Sequence, residues 1–214
     1  MSSSKKATTK RKGSLQDNEV KEVLDLIKKY AVPTAVVIVL VCGIFLFDRW
    51  LKSSKQTREV EADSALMNAI DAVDYQRIVD EYGSTSSAPI AMMNLAMTRY
   101  SEGDYEGAQQ LYSDFLKKYP KHEMALQAEL NVITCMESKG EYSEAHLLYS
   151  DFTAKHRDSY LAPMAMMGQA RCLEGIGALD DARRTYEDLI VGYPGSSWAD
   201  IADTRMTVLS KKVN

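Results

Sequence analysis

The chain has 214 residues and a formal net charge of −4, and 45% of its residues are hydrophobic. The charges are divided unevenly: residues 1–58 carry 12 Lys and Arg against 5 Asp and Glu, whereas residues 59–214 carry 14 against 25. The acidic C-terminal part is long enough to bury one hydrophobic core. Its charge argues against a nucleic-acid partner, because phosphate binding requires a basic face.

The N-terminal part begins with residues 1–15, which are polar and basic, so we predict a disordered tail there. Apolar side chains then recur at helical spacing within residues 16–32, at Val20, Val23, Leu24 and Ile27. This pattern predicts an amphipathic helix beside a membrane. Because Pro33 disfavours helical geometry at the preceding residue, we expect a bend there, with a new helix starting at the proline.

Residues 30–47 form a run of 18 residues without a charge. As a helix this run is about 27 Å long, close to the hydrocarbon thickness of a bilayer. We predict one transmembrane helix over residues 33–51 and a linker or first helix over residues 52–69; a buried core helix is the alternative. The following sequence lacks the small-residue cleavage pattern of a signal peptide. A lipoprotein site at Cys42 would require a small residue where Val41 stands.

Basic residues set the expected orientation of this helix. Eight Lys and Arg precede the apolar run, and four follow it before residue 59. This bias favours an N-terminus in the cytoplasm. We therefore expect a single-pass protein of the cytoplasmic (inner) membrane whose acidic domain lies in the periplasm or an equivalent extracytoplasmic space.

Beyond the membrane segment the chain repeats itself with a period of 37 residues. Residues 88–120 align without a gap on residues 162–194, with 12 identities over 33 positions. Stacked helical units have periods of this size. The pattern predicts a repeat domain over residues 70–213, with units at 88–124, 125–161 and 162–198 and a capping helix at 198–211.

Each unit places the same residue types at matching positions. A glycine ends the first helix, an alanine lies where two helices cross, and a tyrosine follows one turn later. The three sets are Gly103, Gly140 and Gly177, then Ala108, Ala145 and Ala182, and then Tyr112, Tyr149 and Tyr186. Pro120 and Pro194 close the second helices of two units, whereas Arg157 replaces the proline in the middle unit. We expect the middle unit to be less regular.

Small residue, Gly, Ala, aromatic and terminal Pro at these separations resemble the tetratricopeptide repeat. The ending YPGSSWAD resembles repeats of outer-membrane assembly lipoproteins and of the periplasmic coordinator of the Tol–Pal system. Amphipathic helix, single span and repeat domain together are similar to the ancillary subunit of the bacterial Sec translocon. The resemblance implies an all-α, tetratricopeptide-like helical-hairpin solenoid preceded by a single transmembrane helix.

The resemblance also implies a concave groove lined by the first helix of each unit. Mapped onto this chain, the groove residues are Ile90, Met93, Met97, Tyr100, Leu130, Thr134, Met164, Met167 and Arg171. Methionine is frequent among them, and its flexible thioether suits contacts with varied apolar segments. The alternative is that these methionines fill the core, as we expect for Met92 and Met166.

Motifs for chemistry are missing from the sequence. It contains no Cys-x-x-Cys, no phosphate-binding glycine loop and no His-Glu-x-x-His. Cys135 and Cys172 lie one period apart on neighbouring units, too far for a disulfide. We expect no enzyme activity, no catalytic residue, no metal or cofactor and no small-molecule substrate.

The function expected from these features is protein binding. The first hypothesis is a membrane-anchored scaffold in the cell envelope that assists protein export or chaperoning, with the Sec translocon or unfolded clients as partners. The alternative is a structural assembly factor of an envelope complex, in division or outer-membrane assembly, that binds a folded partner.

Overall fold

The computed structural model describes residues 4–213, with the side chains of residues 21–31 and 33–210. The chain divides into two compact units, Met1–Thr57 and Arg58–Asn214. The helices are α1 (Ser4–Asn68), α2 (Ala72–Glu81), α3 (Ser87–Ser101), α4 (Tyr105–Lys118), α5 (Ala125–Ser138), α6 (Tyr142–Lys155), α7 (Ala162–Gly175), α8 (Leu179–Gly192) and α9 (Ser197–Val213). No strand occurs between residues 4 and 213, and the all-α class is confirmed.

Helix α1 continues through Pro33, so the separate helix start expected at that residue is wrong. The Thr34 hydroxyl donates hydrogen bonds to the backbone carbonyls of Tyr30 and Ala31, over 2.6 and 3.1 Å. Such side-chain bonds help a turn with a proline to stay helical in an apolar segment. The tail expected to be disordered over residues 1–15 is helical from Ser4 onward, since Lys, Arg and Ala propagate a helix well. Its residues 1–3 lie outside the described residues.

Part of α1 has the length and composition of a membrane span. The segment Lys21–Asn68 contains the apolar run, and none of its most apolar window is buried inside the protein. A core helix of a soluble domain would be mostly covered by other elements. The exposure of this window is what we expect of a membrane span and not of a buried core helix.

Three hairpins follow one another in the second compact unit: α3 with α4, α5 with α6, and α7 with α8. Each turns at a glycine with positive φ, at Gly103 (85°), Gly140 (82°) and Gly177 (79°). Glycine adopts this backbone conformation without the steric conflict of a Cβ. Helix α9 packs on α8 and closes the array. The tetratricopeptide-like hairpin fold is thus confirmed.

The middle hairpin is as regular as the other two, contrary to expectation. Helix α6 ends at Lys155, the position equivalent to Lys118 at the end of α4. The backbone N–H of His156 donates to the carbonyl of Phe152, and the equivalent cap bond ends α4. Because this bond needs only the backbone, Arg157 replaces the proline without changing the end of the helix.

The core consists of three clusters, one for each hairpin with its following helix. The crossing alanines and the tyrosines one turn later are all buried, as predicted. Tyr149 packs directly on α7 at Gly168. A Cβ atom at Gly168 would lie 2.4 Å from Cζ of the tyrosine ring. The close approach of α6 and α7 therefore depends on glycine at this position.

We predict that Gly168→Ala destabilises the repeat domain by about 2 kcal/mol, because the added methyl group overpacks the contact with Tyr149. The gain in helix propensity, about 0.5–1 kcal/mol, is too small to compensate. Thermal and urea unfolding followed by circular dichroism measure the change. Gly192→Ala in α8 is the matched control, since no heavy atom lies within 4 Å of its added Cβ. Equal stability of the two variants would contradict this account of the packing.

Candidate functional site

A cavity of about 630 Å³ lies between the first helices of two neighbouring hairpins, α3 and α5. Its lining residues are Met93, Asn94, Met97, Tyr100, Tyr112, Glu123, Met124, Gln127, Asn131, Thr134 and Tyr160. We call this space the α3–α5 cavity. Its volume lies within the range of protein sites that enclose ligand groups.

The lining of the α3–α5 cavity combines apolar and amide side chains. Three methionines contribute flexible thioethers, and Met97 is 59% exposed. Tyr160 extends from the loop before α7 and is also largely exposed. Glu123 is the one charged residue among those that line the cavity. The surface is therefore suited to a polypeptide segment, which offers both apolar side chains and polar peptide groups.

Buried tyrosine hydroxyls in the second and third hairpins are paired with carboxylates from the first helix of their own unit. The Tyr149 hydroxyl donates to Glu137 over 2.8 Å and to the Thr134 hydroxyl over 3.1 Å. One period later, the Tyr186 hydroxyl donates to Glu174 over 2.6 Å. Burial, together with the adjacent carboxylate, raises the pKa of both tyrosines above its usual range. Both hydroxyls therefore remain donors at neutral pH.

The first hairpin differs at this position, because Tyr100 stands where the other two units carry glutamate. The Tyr100 hydroxyl forms a hydrogen bond of 2.7 Å with the Ser138 hydroxyl, and its ring packs against Tyr105 with centroids 5.1 Å apart. Among the described side chains Tyr112 meets the Asn131 amide and no carboxylate, and burial raises the pKa of Tyr112 to about 12. The α3–α5 cavity occupies this part of the groove.

The part of the groove next to α7 is filled by an ion pair. Arg171 donates from Nε to Oε1 of Glu137 over 2.6 Å and from Nη2 to Oε2 over 2.9 Å. Burial alone would lower the pKa of Arg171, but hydrogen bonding and attraction to Glu137 raise it above the usual value. Tyr149 binds the same carboxylate. The Glu137 carboxylate is thus occupied from both neighbours, while Arg171 uses two of its five N–H donors in the pair.

Nine residues are predicted from the sequence to line the groove, and in the structure they fall into three groups. Met93, Met97, Tyr100 and Thr134 line the α3–α5 cavity. Ile90 and Met164 are partly buried outside its lining, and Arg171 is held by Glu137. The third group, Leu130 and Met167, belongs to the core.

The assignment of Leu130 and Met167 to the groove is wrong, since their side chains are only 0% and 2% exposed. Leu130 packs in the cluster formed by α5, α6 and α7, and Met167 packs in the cluster formed by α7, α8 and α9. Their position in the repeat faces the next hairpin. Of the methionines expected in the core, Met92 is buried and Met166 packs against a core cluster.

Several cavity residues were missed because they come from loops or from the opposite edge of a helix. Glu123 and Met124 lie in the turn before α5, and Tyr160 lies in the loop before α7. The face predicted from sequence lies within the first helices, so it does not include these loop residues. Asn94 and Asn131 carry a signal in the sequence, since they are amides one period apart.

Chemical sites of other kinds are not found in the part of the chain whose side chains are described. No group of three or more His, Cys, Asp or Glu there is placed to hold a metal ion. Cys135 and Cys172 are free and buried. Burial raises their pKa to about 11 and about 12, respectively, so both thiols are protonated at neutral pH.

Comparison with protein families gives a match over residues 85–213, more than half of the chain, to the model described as YfiO, outer membrane lipoprotein. The chain belongs to the YfiO family of outer membrane lipoproteins. The match spans α3–α9 in full and begins two residues before α3. Residues 1–84, which include the apolar run, lie outside the match to the YfiO family.

Solved structures share the hairpin architecture at low identity. PcrH from Pseudomonas aeruginosa aligns with a TM-score of 0.50 and 17% identity over 58% of this chain and 93% of its own. MamA 41-end from Desulfovibrio magneticus RS-1 aligns with a TM-score of 0.52 and 13% identity over 73% and 89%. At such identities the similarity concerns the fold alone. No curated protein sequence gives a significant match.

Proposed function

We propose that this protein is a membrane-anchored scaffold of the cell envelope that binds polypeptide partners in its repeat groove and assists protein export or chaperoning. The observation that carries the proposal is the α3–α5 cavity. The exposed side chains of Met97 and Tyr160, together with partly buried methionines, surround a space of about 630 Å³ that no side chain of the described chain fills. Unfolded clients and components of the Sec translocon are the proposed partners.

The composition of the cavity supports polypeptide binding over catalysis. Methionine side chains adapt to apolar groups of different shape, which suits a scaffold that meets many sequences. Burying one large apolar side chain contributes about 1.5–3 kcal/mol, so two or three anchors give useful but reversible affinity. The lining contains no nucleophile paired with a base, which covalent catalysis requires.

A second candidate is a structural assembly factor that binds a folded partner in division or outer-membrane assembly. Membership in a family described as outer membrane lipoproteins favours this alternative. The acidic repeat domain would then recruit a basic partner surface. Salt separates the two candidates, because screening weakens binding between exposed charges but not binding in an apolar cavity.

For the location, we propose an inner-membrane protein with its N-terminus in the cytoplasm and its repeat domain in the periplasm. The apolar run of α1 and the excess of basic residues before it support this orientation. Cys42 lies within the apolar run, so we propose that the helix itself, and not a lipid on this cysteine, is the anchor.

We predict that Met97→Asp weakens binding of an unfolded client about tenfold or more, because a charge replaces an apolar contact in the cavity. The assay uses the full-length protein in lipid nanodiscs and a reduced, alkylated, fluorescently labelled unfolded protein as probe. Leu147→Asp is the matched control, since Leu147 on α6 is 61% exposed and outside the cavity lining. Equal affinities of the two variants and the wild type, or release of the probe at 0.5 M salt, would contradict the groove hypothesis.

The proposed orientation predicts that a reporter fused after Asn214 is active only in an extracytoplasmic compartment. In spheroplasts, external protease should digest the repeat domain without lysis. A domain that is protected until the membrane is broken would place it in the cytoplasm and would remove the envelope function.

A further inference from the structure

We propose that the occupant of the α3–α5 cavity is an extended polypeptide segment with a large apolar side chain next to a Lys or Arg. In this arrangement the apolar side chain enters among the methionines, the ligand main chain pairs with Asn94 and Asn131, and the cation meets Glu123. The inference rests on the proposed function, since it names the class of segment that the groove binds.

Two amides line the cavity at equivalent repeat positions. Asn94 lies on α3 and Asn131 lies on α5, 37 residues apart. Among the described residues the Asn94 amide has no hydrogen-bond partner. Asn131 accepts one hydrogen bond from Gln127 over 2.9 Å and is also close to the Tyr112 hydroxyl. Because a side-chain amide offers two donor hydrogens and an acceptor with two lone pairs, both residues retain capacity for a ligand.

The third hairpin carries no amide at this repeat position, so the pair is limited to α3 and α5. The equivalent position on α7 is Gly168, and the Tyr149 ring lies against it. The amides therefore occur only beside the cavity, where an occupant is able to reach them. Both amides are partly exposed at the cavity, so an occupant exchanges their hydrogen bonds with solvent for hydrogen bonds with its main chain.

The amide chemistry favours an extended ligand over a helical one. A helix uses its backbone N–H and C=O groups internally, apart from those at its ends. An extended segment presents these groups at every residue, and a side-chain amide is able to donate to one and accept from the other. Two amides on neighbouring helices thus provide two points for main-chain recognition along the segment.

The charge next to the apolar side chain follows from Glu123. This residue is exposed at the cavity and takes part in no ion pair among the described side chains. Two cations could be expected to neutralise it, but neither is paired with Glu123. Lys121 takes part in no ion pair among the described side chains, and Arg171 is bound to Glu137. Residues 59–214 carry 14 basic against 25 acidic side chains, so the surrounding field also favours a cationic ligand.

The test uses three labelled 12-residue peptides and the full-length protein in nanodiscs, with affinity measured by fluorescence anisotropy. The first peptide contains a Leu-Lys-Leu core between Ser and Thr residues, the second replaces Lys by Glu, and the third N-methylates the peptide groups of the core. We expect the first peptide to bind about fivefold tighter than the second, since an exposed charge pair contributes modestly. N-methylation should weaken binding about tenfold, because it removes main-chain donors.

Variants assign each effect to a residue. Glu123→Gln should abolish the preference for Lys over Glu, whereas Glu144→Gln, an exposed carboxylate on α6, should leave it unchanged. Asn94→Ala should weaken binding of the unmodified peptide severalfold but have little effect on the N-methylated one. Equal affinities for the Lys and Glu peptides would overturn the inference. So would an Asn94→Ala variant that loses the same affinity for the unmodified peptide as for the N-methylated one. If those peptides bind equally yet remain sensitive to Met97→Asp, the scaffold function stands; if none binds, both proposals fail.

Discussion

The hydrogen bond of a buried tyrosine hydroxyl determines the character of each part of this groove. Leaving such a hydroxyl unpaired costs about 1–3 kcal/mol, so each hairpin must provide a partner for it. Glu137 and Glu174 serve Tyr149 and Tyr186, and both carboxylates also occupy space on the first-helix face. The first hairpin has Tyr100 instead, which bonds to Ser138 on the next helix, and the buried Tyr112 hydroxyl meets the Asn131 amide of the neighbouring hairpin. The residue at this one repeat position thus differs between the region of the ion pair and the region of the cavity.

The region of the ion pair strengthens the solenoid and the region of the cavity provides its surface for partners. Glu137 accepts from Arg171 of the following unit and from Tyr149 of its own, so the ion pair joins neighbouring hairpins. The mostly buried carboxylate accepts three hydrogen bonds, two of them in a bidentate pair with Arg171, which fixes the geometry of the contact. The α3–α5 cavity has no comparable cross-link. Its methionines have many accessible rotamers and suit a variable ligand.

The repeat pattern predicted the hairpins because its signals are local and physical. Glycine with positive φ, alanine at a crossing and tyrosine one turn later each report on a backbone or packing requirement that recurs in every unit. The groove was harder to predict, since helical position alone does not distinguish Leu130, which faces the next hairpin, from Met93, which lines the cavity. Tyr160 comes from a loop whose path depends on the packing of α6 and α7. Pro33 was misleading because a neighbouring threonine hydroxyl supports the helix there.

The central claim is that the cavity binds polypeptide because its wall carries a tyrosine and no carboxylate at position 100, and Tyr100→Glu tests it most directly. The variant restores the residue pattern of the other two units. We expect the introduced carboxylate to accept from Tyr112 and to place a charge in the wall of the cavity, so that binding of the unfolded probe falls at least tenfold, with the fold retained by circular dichroism. Tyr100→Phe keeps the ring and should bind as the wild type does. Unchanged binding by Tyr100→Glu would contradict the account, provided that a crystal structure of the variant shows the new hydrogen bond to Tyr112.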